Sequence, residues 1–135
     1  MLHTKRCLIL LVDDERINQT IIKKALSTHF DVILASSGQE ALDLARQSPQ
    51  PQLILLDIMM PDMSGYQVLE QLKSKPQTHD IPVILLTALG SDSDKARGIE
   101  LGACDYLTKP CSLMTLLNQV RRQLQQDEDR PLPRD

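Results

Sequence analysis

The sequence predicts an α/β fold: a doubly wound sheet of five parallel strands flanked by five helices, over residues 1–124. Three observations carry that prediction. Apolar runs of strand length recur along the chain, stretches of helical period separate them, and polar or charged residues follow most of the runs directly. With 135 residues, 41% of them apolar, the chain can bury one core of ordinary size. Aromatics make up only 2%, so that core is aliphatic.

The first strand is read at Cys7–Val12, the second at Val32–Ala35, the third at Leu53–Leu56, the fourth at Val83–Leu86 and a weaker fifth at Ala103–Leu107. Runs one, three and four are nearly continuous in Leu, Ile and Val, as in parallel strands covered on both faces. After the first run, Ile17, Ile21 and Ala25 share a helical face, with Ile22 and Leu26 beside it. Gly38, Ala41, Leu42 and Ala45 repeat that spacing, as do Gly65, Val68, Leu69 and Leu72. The segment Asp92–Leu101 has only Ala96, Ile99 and Leu101 as apolar residues and is expected to dock least firmly. Leu113, Leu116, Leu117, Val120 and Leu124 form the clearest stripe. Ser37, Ser64, Ser91 and Ser112 stand where N-caps belong, while Pro49, Pro51, Pro76 and Gly102 mark stops. Strict alternation of strand and helix implies right-handed crossovers, and five strands suit the flavodoxin-like order 2-1-3-4-5. The remainder, 125–135, reads as a frayed helix end followed by a linker or disordered tail, with Asp127, Glu128, Asp129, Pro131 and Pro133.

Such sheets place their sites beyond the C-terminal strand ends, where the strand order reverses. Strand one is followed by Asp13 and Asp14, strand three by Asp57, strand four by Thr87 and Ala88, and strand five by Lys109 and Pro110. Strand two, at the far edge, offers only Ser36 and Ser37. Three converging carboxylates stay ionised together only around a cation, and all-oxygen ligands suit Mg²⁺ or Mn²⁺. Lys109 adds an ammonium and Thr87 a hydroxyl donor. Together these groups trap a tetrahedral anion, as phosphoryl transfer requires, with Asp57 as the central nucleophile. Each residue taken singly has a plainer role: Asp13 and Asp14 as helix caps, Asp57 as a turn residue, Lys109 as a solvated lysine and Tyr106 as packing. Their joint placement at successive strand ends is what favours the chemical reading.

The stretches LILLVDDE (8–15), LILLDIMMPDMSG (53–65), PVILLTA (82–88) and GACDYLTKP (102–110) resemble the receiver domain of two-component response regulators. The resemblance spans nearly the whole chain, to about Leu124. It implies that Asp57 accepts a phosphoryl group from a phosphohistidine on a sensor histidine kinase or phosphotransfer protein. It also implies Mg²⁺ bound by Asp14, Asp57 and the main-chain carbonyl of Met59, with Asp13 acting through water. Lys109 and Thr87 would contact phosphoryl oxygens, and a cis peptide would precede Pro110. Tyr106 takes the place of the switch aromatic, turning inward as Thr87 moves toward the phosphate. The output face would be helix four, strand five and helix five, acting on a downstream effector or an attached output domain, or forming a homodimer on phosphorylation. The segment 65–89 is worded like receivers attached to larger signalling proteins, including cyclic-dinucleotide cyclases and hybrid kinases. Cys104 stands where many relatives have an acidic residue, and Cys111 where an aromatic is common. Met59 and Leu89 would flank an attacking water without orienting it, so the phosphorylated state is expected to persist.

Other readings meet obstacles in the same residues. A haloacid dehalogenase-type phosphatase would need a second aspartate two positions after Asp57, where Met59 stands. The loop after strand one lacks the glycines of a phosphate cradle, which counts against a flavin or nucleotide module. The complete set Asp13, Asp14, Asp57, Thr87 and Lys109 counts against a receiver that is never phosphorylated. A formal net charge of −3 argues against a broad nucleic-acid-binding surface. The run Cys7–Val12 is too short to span a membrane. Three cysteines at 7, 104 and 111, with no CxxC, fit reduced thiols in the cytoplasm. The chemistry expected is the chain's own phosphorylation and dephosphorylation rather than turnover of a substrate.

Overall fold

A computed structural model describes residues 6–129. The chain alternates β1 (Leu8–Val12), α1 (Arg16–Leu26), β2 (Asp31–Ala35), α2 (Gly38–Arg46), β3 (Leu53–Leu56), α3 (Gly65–Ser74), β4 (Val83–Thr87), α4 (Asp92–Glu100), β5 (Asp105–Thr108) and α5 (Leu113–Asp129). The strands form one parallel sheet in the order β2-β1-β3-β4-β5, as the sequence predicts. Side chains alternate across it with the period of two that the pleat imposes. Leu10, Val12, Ile54 and Leu56 face a core shared with α2 and α3. Ile9, Leu11, Leu53 and Leu55 face a second core with α1 and α5. Both faces are covered, which is why β1, β3 and β4 read as unbroken apolar runs.

The expected caps form. Ser37, Ser64 and Ser91 accept from the amides of Glu40, Gln67 and Asp94, and Ser112 accepts from Thr115. Gly102 ends α4 at φ +114, a conformation that L side chains rarely adopt. As expected, α4 docks weakly: its sole buried residue is Gly98, and Ile99 is half exposed. The helix α5 runs to Asp129, five residues past the expected boundary at Leu124. The rest of the expected tail, 130–135, lies outside the described residues.

One expected face differs. On α1 the inward residues are Gln19, Ile22 and Leu26, while Ile17 and Ile21 are 73% and 50% exposed. The sequence offers two adjacent apolar stripes. The sheet selects the one that turns the Gln19 amide toward backbone carbonyls at the strand ends. No helix among the described residues is long and apolar enough to cross a membrane.

Candidate functional site

The expected residues meet at the C-terminal edge of the sheet, and the backbone explains how. Asp13 N donates to Ala35 O (3.0 Å), Asp57 N to Val12 O (3.0 Å) and Lys109 N to Thr87 O (2.7 Å). Each bond continues the parallel ladder one residue past the strand, so the side chains that follow are held by the sheet rather than by free loops. Asp13, Asp57 and Thr87 are buried; Asp14 is exposed at the mouth. Carboxylate oxygens of Asp13, Asp14 and Asp57 lie within 4.8 Å of one another.

Lys109 Nζ reaches in from β5 and bonds Asp13 Oδ2 at 2.7 Å and Asp57 Oδ2 at 3.2 Å. Burial pulls its pKa down, but Asp13 and Asp57 outweigh that and hold the ammonium above the usual lysine range. The peptide between Lys109 and Pro110 is cis. The other oxygens of the two buried carboxylates accept backbone N–H groups: Asp13 Oδ1 from Glu15 at 2.9 Å, and Asp57 Oδ1 from Met59 at 3.2 Å. A single ammonium against three carboxylates leaves negative charge uncompensated in a small space. That donor set, all oxygen and acidic, fits a hard divalent cation. The cavity beside it, about 280 Å³, is lined by Asp14, Glu15, Asp57, Met59, Ala88 and Lys109.

Thr87 is fully buried, and its Oγ1 accepts from Leu89 N at 3.3 Å, leaving its O–H free to donate. Tyr106 donates its hydroxyl to Leu89 O at 2.6 Å. Residue 89 therefore touches both expected switch residues, one through its N–H and the other through its carbonyl. The Tyr106 ring lies beneath α4 because Gly98 has no side chain: a Cβ there would stand 2.5 Å from Leu85 Cδ1 and 3.1 Å from the ring. Burial, together with the neighbouring Tyr66 hydroxyl, raises the Tyr106 pKa well above the usual tyrosine range.

The family model for the response regulator receiver domain matches residues 9–121. The chain belongs to that family. Such domains are the phosphorylation-based signalling modules of two-component systems. The receiver is 43% identical over 120 residues to the "Probable cyclic di-GMP phosphodiesterase" of Vibrio cholerae, covering 89% of this chain and 27% of that protein. It is 46% identical over 114 residues to the transcriptional regulatory protein CpxR of Escherichia coli, covering 84% of this chain and 47% of that one. Among solved structures it resembles the receiver domain of a signal transduction histidine kinase from Syntrophus aciditrophicus, with TM-score 0.83, 34% identity, and coverage of 96% and 98%. The chain spans about half or less of the length of the curated relatives it matches.

Several residues that shape the receiver's site were not anticipated. Gln19 and Asp62 hold its loops, and Tyr66 bonds Asp94 O at 3.1 Å beneath the Arg97 guanidinium, 4.2 Å from the ring centroid. A polar residue on an otherwise apolar inward stripe would have marked Gln19; the others need the tertiary contacts. Cys111 lies beyond Lys109, and burial pushes its thiol pKa up, with Lys109 opposing. Burial and Asp105 push Cys104 up to about 11. Neither thiol is activated in the manner of a redox cysteine.

Proposed function

We propose that this receiver takes a phosphoryl group from the phosphohistidine of a sensor histidine kinase or phosphotransfer protein onto Asp57. An Asp57 carboxylate oxygen attacks phosphorus, the N–P bond breaks, and the electron pair returns to the imidazole, leaving an aspartyl phosphate. The observation that carries this reading is the Lys109 ammonium bonded to both Asp13 and Asp57 within a cluster of three carboxylates. Asp14, Asp57 and the Met59 carbonyl would hold Mg²⁺, or Mn²⁺, with Asp13 acting through water. When bound, that ion neutralises charge on the phosphoryl oxygens.

Lys109 then exchanges its bond to Asp57 for one to a phosphoryl oxygen, and the Thr87 hydroxyl donates to another. Thr87 Oγ1 is tied to Leu89 N and Tyr106 to Leu89 O, so a shift of Thr87 moves the backbone that Tyr106 grips. The weakly docked α4 carries that change to the face formed by α4, β5 and α5. That face would act on a downstream effector or an output domain attached through 125–135, or pair two copies. Residues 1–124 form the receiver unit, and a kinase-borne donor places the reaction in the cytoplasm.

Mass spectrometry after incubation with acetyl phosphate and Mg²⁺ tests the reading. One phosphoryl group should be gained by the wild type and none by Asp57→Asn. A wild type that binds Mg²⁺ but gains no mass would reject phosphorylation at this site.

A further inference from the structure

We infer that Gln19 and Asp62 are positioning residues that brace the two acidic loops of the pocket against each other through the β2–α2 turn. The inference rests on the proposed role of those loops in phosphoryl transfer. The β2–α2 turn supplies no ligand or acceptor of its own, yet both acidic loops are fastened to it.

The fastening begins at Asp13. Gln19 is buried on α1 in line with Ile22 and Leu26, where an aliphatic side chain would pack as well. Its Nε2 donates to the Asp13 carbonyl at 2.5 Å, and lies 3.1 Å from Ser36 Oγ and 3.3 Å from the Ala35 carbonyl. One amide thus ties the β1–α1 loop to the first residue after β2. The next residue, Ser37, caps α2. The two residues after that, Gly38 and Gln39, donate their N–H groups to Asp62 Oδ1 at 3.0 Å and Oδ2 at 3.1 Å.

Asp62 belongs to the β3–α3 loop, five residues beyond Asp57 and three beyond Met59. Ser37 already caps the helix, so Asp62 serves as a clamp between elements. The Gly38 and Gln39 amides hold its carboxyl below the usual carboxylate range, so the clamp keeps its charge further into acid than a free carboxylate would. Met63 reinforces it: a Cβ on Gly38 would stand 2.2 Å from Met63 Cγ, so loop and helix meet with no space between them. The connected path runs Asp13–Gln19–Ser36–Gly38–Asp62 and so into the loop that carries Met59. Carboxylates crowded within 4.8 Å repel. A brace joining their loops from behind resists that spreading and presets the spacing a cation needs, as residues behind metal ligands commonly do.

The test uses the full chain as wild type, Gln19→Leu, Asp62→Ala, the double variant, Asp62→Asn, and Val120→Ala. Val120 is an aliphatic residue in the core that α1 shares with α5 and makes none of the fastening hydrogen bonds, so its variant reports loosened packing of α1 with the brace intact. Mg²⁺ affinity is measured by calorimetry, melting by circular dichroism, and phosphorylation by acetyl phosphate at saturating Mg²⁺. Each single variant should weaken Mg²⁺ binding roughly tenfold, while phosphorylation at saturating Mg²⁺ recovers most of its rate. Asp62→Asn, which keeps one acceptor, should lose less than Asp62→Ala. Links in series predict a double variant little worse than the worse single. Unchanged affinity in the singles, multiplied losses in the double, or an equal loss in Val120→Ala would each overturn the brace while leaving Asp57 phosphorylation intact. A wild type that neither binds Mg²⁺ nor gains phosphate would overturn the underlying function instead, and the brace with it.

Discussion

Replacing Gly65 with alanine would place a Cβ 2.3 Å from the Asp57 carbonyl oxygen and 2.7 Å from Ile58 Cα. Both obstacles are backbone, so no side chain can rotate away, and Gly65 N is itself committed to Ile58 O at 2.7 Å. The start of α3 must therefore shift from the end of β3 by a good fraction of an ångström. Overpacking of this kind costs about 1–3 kcal/mol, and a rigid backbone contact belongs in the upper part of that range. Alanine recovers up to about 1 kcal/mol through helix propensity. A net loss of about 1–2 kcal/mol remains, or a fall in Tm of roughly 4–8 °C for a chain of this length. Gly90→Ala is the matched control, because its Cβ would meet only the Thr108 side chain, the methyl at 2.9 Å, and no backbone. Thermal unfolding of both variants, with acetyl phosphate labelling of Asp57, checks the argument. Gly65→Ala should lose stability and label more slowly, whereas Gly90→Ala should stay within about 1 kcal/mol of wild type. A Gly65→Ala protein melting within about 2 °C of wild type and labelling at the wild-type rate would refute the reasoning.

Tyr106→Phe removes the 2.6 Å bond to Leu89 O and should cost about 0.5–1.5 kcal/mol in urea unfolding; an unchanged midpoint would mean that the hydroxyl is not held there. Cys104 should alkylate slowly. A thiol raised from 9.0 to about 11 becomes thiolate only as pH rises through the higher value. At pH 8, therefore, its iodoacetamide rate should be about a hundredfold below that of an unperturbed thiol, and a rate equal to a free thiol's would contradict the raised pKa. Met59 is 58% exposed at the rim of the acidic cavity and cannot orient water. Met59→Asn should therefore shorten the lifetime of the phosphorylated protein in Mg²⁺ buffer, and slower decay than wild type would count against that view.

Much of this receiver is local information. Strands covered on both faces must be continuously apolar, so Leu53–Leu56 and Val83–Leu86 announce themselves in the sequence. Asp13, Asp57, Thr87 and Lys109 are legible because each lies at or just past the end of its strand, and strand order alone brings those ends together. The caps at Ser37, Ser64, Ser91 and Ser112 are equally local. Helix rotation is not. Ile17 and Ile21 form as good an apolar stripe on α1 as Ile22 and Leu26, and hydrophobic periodicity cannot choose between stripes one residue apart. The choice falls to the three-dimensional fit, in which turning Gln19 inward satisfies its amide at Asp13. Asp62 on Gly38 and Gln39, Tyr66 beneath Arg97, and Tyr106 seated against Gly98 also join residues distant in sequence. The sequence by itself determined which groups stand at the C-terminal edge of the sheet, because that follows from strand ends. Only the tertiary structure decided what holds them in place, because bracing depends on contacts between elements that no local pattern encodes.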